Sequence, residues 1–216
     1  MYIVIVGAGG IGRRLTEISL QDGNHNVIVI DKDQARCEEI ARKYDAVAIN
    51  ADATKEETLE ESEIKKADVL VTTTNDDAVN LMVCSLAKNK GVKNLVSVVN
   101  QEESKPMYME KNVRMIKSPN IVMAEQLYKS IKHPNVEEYM NVGNYAEIFR
   151  LPINKESKLS GKTIKKIGLP KKSLIVAVER DQKFIIPTDD VELFSGDKVT
   201  VLAHKDQVDK VAAIFS

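Results

Sequence analysis

The chain has 216 residues, 43% hydrophobic and 29% charged, a globular balance that suits one large domain or two small ones. Lys and Arg number 31 against 32 Asp and Glu, and division near residue 135 uncovers no basic half, which excludes a nucleic-acid binder. Two cysteines, Cys37 and Cys84, with no CxxC spacing exclude a disulfide framework and a thiolate zinc site.

From residue 1 to about 131, short β-branched runs alternate with longer helical patterns. The predicted strands are Tyr2–Val6, Val27–Ile30, Ala46–Ile49, Val69–Thr72, Leu95–Val99 and Arg114–Ile116. The first two are almost continuously apolar, as strands covered on both faces are. Asp33 precedes a helix running through Tyr44, and Thr54 with Glu57 three residues later reads as a capping box. Asn75-Asp76-Asp77 opens a helix carrying Leu81, Met82, Cys84 and Leu86, and Ser118-Pro119 opens another. Strands joined by crossover helices predict an α/β fold with a Rossmann-like, doubly wound parallel sheet.

After Lys132-His133-Pro134-Asn135 the strands come closer together. Tyr145–Leu151 is one strand, Gly161–Ile167 a short basic helix, and Ser173–Glu179 with Phe184–Ile186 a hairpin around Asp181-Gln182. Lys198–Ala203 follows the turn Ser195-Gly196-Asp197, and Asp206–Phe215 closes the chain as an amphipathic helix. Two domains are expected, a doubly wound domain over 1–134 and a small α+β domain over 135–216. The longest apolar runs, Ile3–Val6 and Leu174–Val178, fall far short of the roughly 20 residues of a spanning helix. Met1-Tyr2-Ile3 leads straight into a strand, so no signal peptide and a cytoplasmic setting are expected.

Gly7-Ala8-Gly9-Gly10-Ile11-Gly12 fits G-x-G-x-x-G directly after a strand and before a helix. Gly7 allows the tight turn, Gly9 lets a pyrophosphate approach the backbone, and Gly12 lets helix and strand pack closely. The helix start then offers free N–H groups to phosphates. Asp31 closes the second strand 19 positions after Gly12, where a carboxylate accepts from adenosine ribose hydroxyls and disfavours a 2′-phosphate. NAD, ADP and ATP all present that ribose, so the choice among them stays open. Arg13 and Arg14, just past the loop, are either neutralisers of phosphate charge or solvated helix residues.

Asn50-Ala51-Asp52-Ala53-Thr54 and Thr72-Thr73-Thr74-Asn75 follow the third and fourth strands and face the same crevice, as adenine, ribose and phosphate contacts or as turn chemistry. His25, His133 and His204 lack ligand spacing, so no metal site is expected. An oxidoreductase needs a second region holding substrate and an acid–base group over the nicotinamide. The second unit is short and Lys-rich, with His204 as its one histidine from Tyr145 onward. A non-enzymatic sensor without catalytic residues is therefore expected, with an NAD-dependent oxidoreductase as the alternative.

The order GAGGIG, VIVIDKD, AINADAT, VLVTTTNDD and KSPN, followed by LSGKTIKKIGL, LIVAVERD and FSGDKVTVLA, resembles the RCK family, the regulators of K+ conductance. That family includes the Trk- and Ktr-type cytoplasmic subunits of potassium-uptake systems, and the resemblance covers essentially the whole chain. It implies an N-terminal nucleotide-binding subdomain and a C-terminal ligand-binding and dimerisation subdomain. It further implies dimers assembled into a tetrameric or octameric ring, docked through a membrane potassium-translocating subunit at the inner face of the membrane. NAD(H) or ADP/ATP in the crevice would alter the ring and gate the pore. The matching positions are Gly7, Gly9, Gly10, Ile11, Gly12 and Asp31, with Lys32, Asp52, Ala53, Thr73 and Thr74 beside them. Three positions depart from the family pattern: Val98 replaces a common Arg, Asn120 replaces the Glu that follows SP in cation-binding members, and Ala51 replaces a frequent Gly.

Overall fold

The structure, a computed structural model, describes residues 1–215. It forms two compact units, one of Met1–Val122 and one from Met123 onward. In the first, the order is β1 (Tyr2–Val6), α1 (Gly10–Gln21), β2 (Asn26–Asp31), α2 (Gln34–Lys43), β3 (Val47–Asn50), α3 (Glu56–Glu61) and β4 (Val69–Thr72). Then come α4 (Asp77–Asn89), β5 (Asn94–Val99), α5 (Lys105–Glu110), β6 (Arg114–Lys117) and the start of α6 (Pro119–Lys132), which runs on into the second unit. The six strands pair in parallel in the order β3-β2-β1-β4-β5-β6, so the sheet reverses its winding between β1 and β4. Ligand crevices of open α/β sheets lie at that reversal, beyond the carboxyl ends of the strands.

Two-residue periodicity decides which side chains fill the core. Val4, Val6, Ile28 and Ile30 pack on one face with Leu59, Leu70 and Tyr108, while Ile3, Ile5, Val27 and Val29 pack on the other with Ile40. Each such buried side chain stabilises the fold by about 1.5–3 kcal/mol. Gly12 makes the layer spacing possible, since a Cβ there would stand 1.7 Å from the Gly7 carbonyl oxygen.

The second unit contains β7 (Glu138–Val142), β8 (Ala146–Pro152), β9 (Ser173–Arg180), β10 (Lys183–Ile185), β11 (Lys198–His204) and α7 (Val208–Ile214). Its strands form an antiparallel sheet ordered β10-β9-β11-β8-β7. Phe149, Leu151, Val178, Val199, Val201 and Val211 build its own core. The compact units divide inside α6, earlier than the expected boundary after residue 134. The reason lies in the end of that helix: Gln126 donates to the Tyr139 carbonyl at 3.0 Å, and Lys129 and Lys132 pair with Glu147 and Asp209 at 3.0 and 2.8 Å.

Three local expectations need correction. Thr54 caps nothing: its hydroxyl donates to Asp52 at 2.6 Å, and α3 starts after Lys55 without a side-chain cap. Residues Gly161–Ile167 carry only one 3₁₀ turn, over Ile164–Lys166, because the backbone around it pairs with 189–193. The closing helix shortens to α7, with a 3₁₀ turn over Lys205–Gln207 ahead of it. Among the described residues no helix is long and apolar enough to cross a membrane.

Candidate functional site

Four loops converge at the carboxyl ends of β1, β2, β3 and β4 around a cavity of about 270 Å³. Its lining includes Gly7, Gly9, Asp31, Lys32, Asp52, Ala53, Thr73 and Thr74. Of the other fingerprint positions, Gly10 and Ile11 form the exposed start of α1 and Gly12 is buried at the packing contact, so none of these three lines the cavity.

Side-chain hydrogen bonds fix each loop. Gly7 turns with φ +100°, a conformation open to glycine, and the Thr73 hydroxyl lies 3.0 Å from its carbonyl oxygen. The Asp31 carboxylate accepts from the Ala8 N–H at 2.5 Å and from the Asp33 N–H at 2.8 Å, tying the glycine loop to the end of β2. Asp52 accepts from the Thr54 hydroxyl and N–H and stands 3.2 Å from Lys32. The Thr54 bonds first, and then the Lys32 ammonium, hold its carboxyl down to about 2. On the far rim, the buried Asn80 carboxamide accepts from the Thr74 hydroxyl at 2.7 Å and donates to the Thr74 and Val98 carbonyls. Asp76 caps α4 by accepting from the Ala78 and Val79 N–H groups.

Gly9 has a different environment from its neighbours. A Cβ built on it would meet nothing nearer than Arg36 Nη1 at 3.9 Å, so the chain's own packing leaves the space over that peptide open. Arg36 lines the cavity, as do Ala51, Asn75, Asp76 and Val79. Arg36 escaped the sequence reading because it lies in the first turn of α2, five positions past Asp31, with no motif around it. Arg13 and Arg14 do not line the cavity and are paired with Glu39 and Glu17 at 2.8 and 2.7 Å. Val98 is buried on β5 where the resemblance expects an arginine. Asn120 is exposed in the first turn of α6. Among the described residues no group of three or more His, Cys, Asp or Glu side chains stands close enough to hold a metal ion.

A doubly wound parallel sheet with this crevice, followed in sequence by a small antiparallel sheet, is an RCK-like architecture. The TrkA-N domain family matches residues 3–119 and the TrkA-C domain family residues 148–216. The chain belongs to the TrkA family. It is 32% identical to the Trk system potassium uptake protein TrkA homolog of Methanothermobacter thermautotrophicus, over 100% of both chains. Among solved structures it resembles the GsuK RCK domain, with a TM-score of 0.64 and 15% identity over 100% of this chain and 47% of that one. It also resembles the GsuK channel bound to NAD, with a TM-score of 0.64 and 16% identity over 100% of this chain and 39% of that one. The chain thus spans less than half the length of the GsuK chains it matches.

Proposed function

We propose that this chain is a nucleotide-sensing regulatory subunit that gates a membrane potassium transporter. The observation that carries the proposal is the convergence of the Gly9 backbone, Asp31 and the Asp52–Lys32 pair on one cavity at the winding reversal. In this reading the open peptide at Gly9 takes phosphate and the start of α1 favours its charge. The remaining lone pairs of Asp31 accept from the ribose, and Ala51, Asp52 and Ala53 border the adenine. The ligand is NAD(H) or ADP/ATP, and NAD binding by a structural neighbour of the same fold supports the first.

The same reading makes the chain regulatory rather than catalytic, held at the inner membrane face by its transporter partner. Homo-oligomerisation is part of it. Met123, Leu127, Tyr128 and Ile131 expose 59–78% of their surface along α6, an apolar stripe of the kind that marks an interface. Single couplings run about 1–3 kcal/mol, whereas inverting a 1:99 equilibrium takes about 5.5 kcal/mol, so several equivalent sites in a ring would act together.

A thermal-shift panel of NAD, NADH, NADPH, ADP and ATP, with and without Mg²⁺, tests binding. The preferred ligand at 100 times its Kd should add about 2.7 kcal/mol of stability. No stabilisation by any of the five would sink the nucleotide reading. Potassium uptake by a Gly9→Asp variant tests gating. The added carboxylate fills the open space without displacing backbone, so nucleotide-dependent uptake should vanish; an unchanged nucleotide response with binding abolished would refute gating.

A further inference from the structure

The side chains lining the cavity have a charge problem with respect to a phosphate. Three carboxylates, Asp31, Asp52 and Asp76, face it against two cations, Lys32 and Arg36. Lys32 is drawn aside by Asp52 at 3.2 Å, and Arg13 and Arg14 are paired on the surface of α1. Arg36 is left. Its Nε lies 3.3 Å from Asp33 Oδ2 and its Nη1 3.8 Å from Asp31 Oδ2. Among the described residues its guanidinium makes no hydrogen bond, although it carries five N–H donors in a planar fork. These two carboxylates hold the group at the cavity wall, and Nη1 stands 3.9 Å from the open position over Gly9.

We propose that Arg36 is the phosphate-reading residue of this crevice, donating from its guanidinium to the phosphate of an adenine nucleotide seated over Gly9. The inference rests on the nucleotide-binding reading above and adds to it the residue that separates nucleotide from nucleoside. A phosphate entering here meets a donor fork held at the cavity wall, and charge-assisted bonds from arginine to phosphate are among the strong ones. Arg36 also offsets the negative field of Asp31 and Asp33, which would otherwise oppose a diphosphate. The side chain is half exposed and packs no core, so its replacement leaves the fold in place.

The test is calorimetric titration of the full chain and of Arg36→Gln with adenosine and with whichever of NAD, NADH, ADP and ATP binds the unmodified chain most tightly. The variant should bind the phosphorylated ligand about tenfold or more weakly, bind adenosine unchanged, and show a shallower salt dependence. Equal weakening for adenosine and nucleotide would overturn the proposal, because it would place Arg36 on the ribose through Asp31. Undiminished nucleotide affinity would overturn it outright. An unmodified chain that binds none of NAD, NADH, ADP and ATP would overturn the proposed function itself, and this inference with it. Melting of the ligand-free variant at the unmodified temperature separates loss of contact from loss of fold.

Discussion

A methyl group on Gly12 meets the Gly7 carbonyl oxygen at 1.7 Å, whereas one on Gly9 meets only Arg36 Nη1 at 3.9 Å. Gly12→Ala must therefore push α1 off the sheet and should cost about 1–3 kcal/mol or more, measured by urea denaturation. Gly9→Ala should stay within about 0.5 kcal/mol in the same experiment. The two glycines look alike in the fingerprint, and distances separate the packing residue from the open one. Asp52 carries a pH prediction. Its carboxyl ionises near 2 in the fold against 3.8 for an unperturbed Asp, so its contribution is full above about pH 4 and lost as pH falls toward 2. Asp52→Asn should remove that part of the acid destabilisation, visible as a flatter stability profile between pH 4 and 2. Arg36 was illegible because its role depends on where the first turn of α2 points, and that direction is set by Asp33 accepting from the Arg36 N–H.

At the scale of elements, the parallel strands were the most legible part. Burial on both faces makes β1 and β2 continuous apolar runs, and each predicted strand of the first unit matches an observed one to within a residue at either end. What was missed lacks such a signal. β7 buries only Tyr139 of its five residues, so its sequence shows no clean alternation. α5 is six residues long with Pro106 in its first turn, too short for a helical period to appear. The lysines of Gly161–Ile167 imitate a basic helix, but backbone pairing with 189–193 takes the hydrogen bonds a helix would need. α6 has the opposite character, a long helix with no buried residue. If its apolar stripe is the oligomer contact, Leu127→Glu together with Ile131→Glu should lower the mass seen by light scattering while leaving circular dichroism unchanged. An unaltered mass would place the contact elsewhere.

On the scale of the whole molecule, the two units have separate apolar cores and separate sheets. Cooperativity follows shared core, so unfolding should depart from a single two-state transition. Calorimetry should resolve two transitions. Saturating nucleotide should raise only the one belonging to Met1–Val122, since a ligand stabilises the unit that binds it. A single transition that moves as a block would mean the units are energetically welded. The change of strand spacing in the sequence pointed to a break after residue 134, and contacts made by the end of α6, which composition does not encode, place the division of compact units after Val122.

In the proposed reading Asp31 is the acceptor offered to a ribose, and in the structure it is also the strut that holds Ala8 against β2. Cofactor preference in this chain is therefore hard to evolve by single steps. Any change that neutralises Asp31 to admit a 2′-phosphate also slackens the loop that would grip the diphosphate. A route to a different nucleotide must first supply a second anchor for Ala8, and only then release the carboxylate.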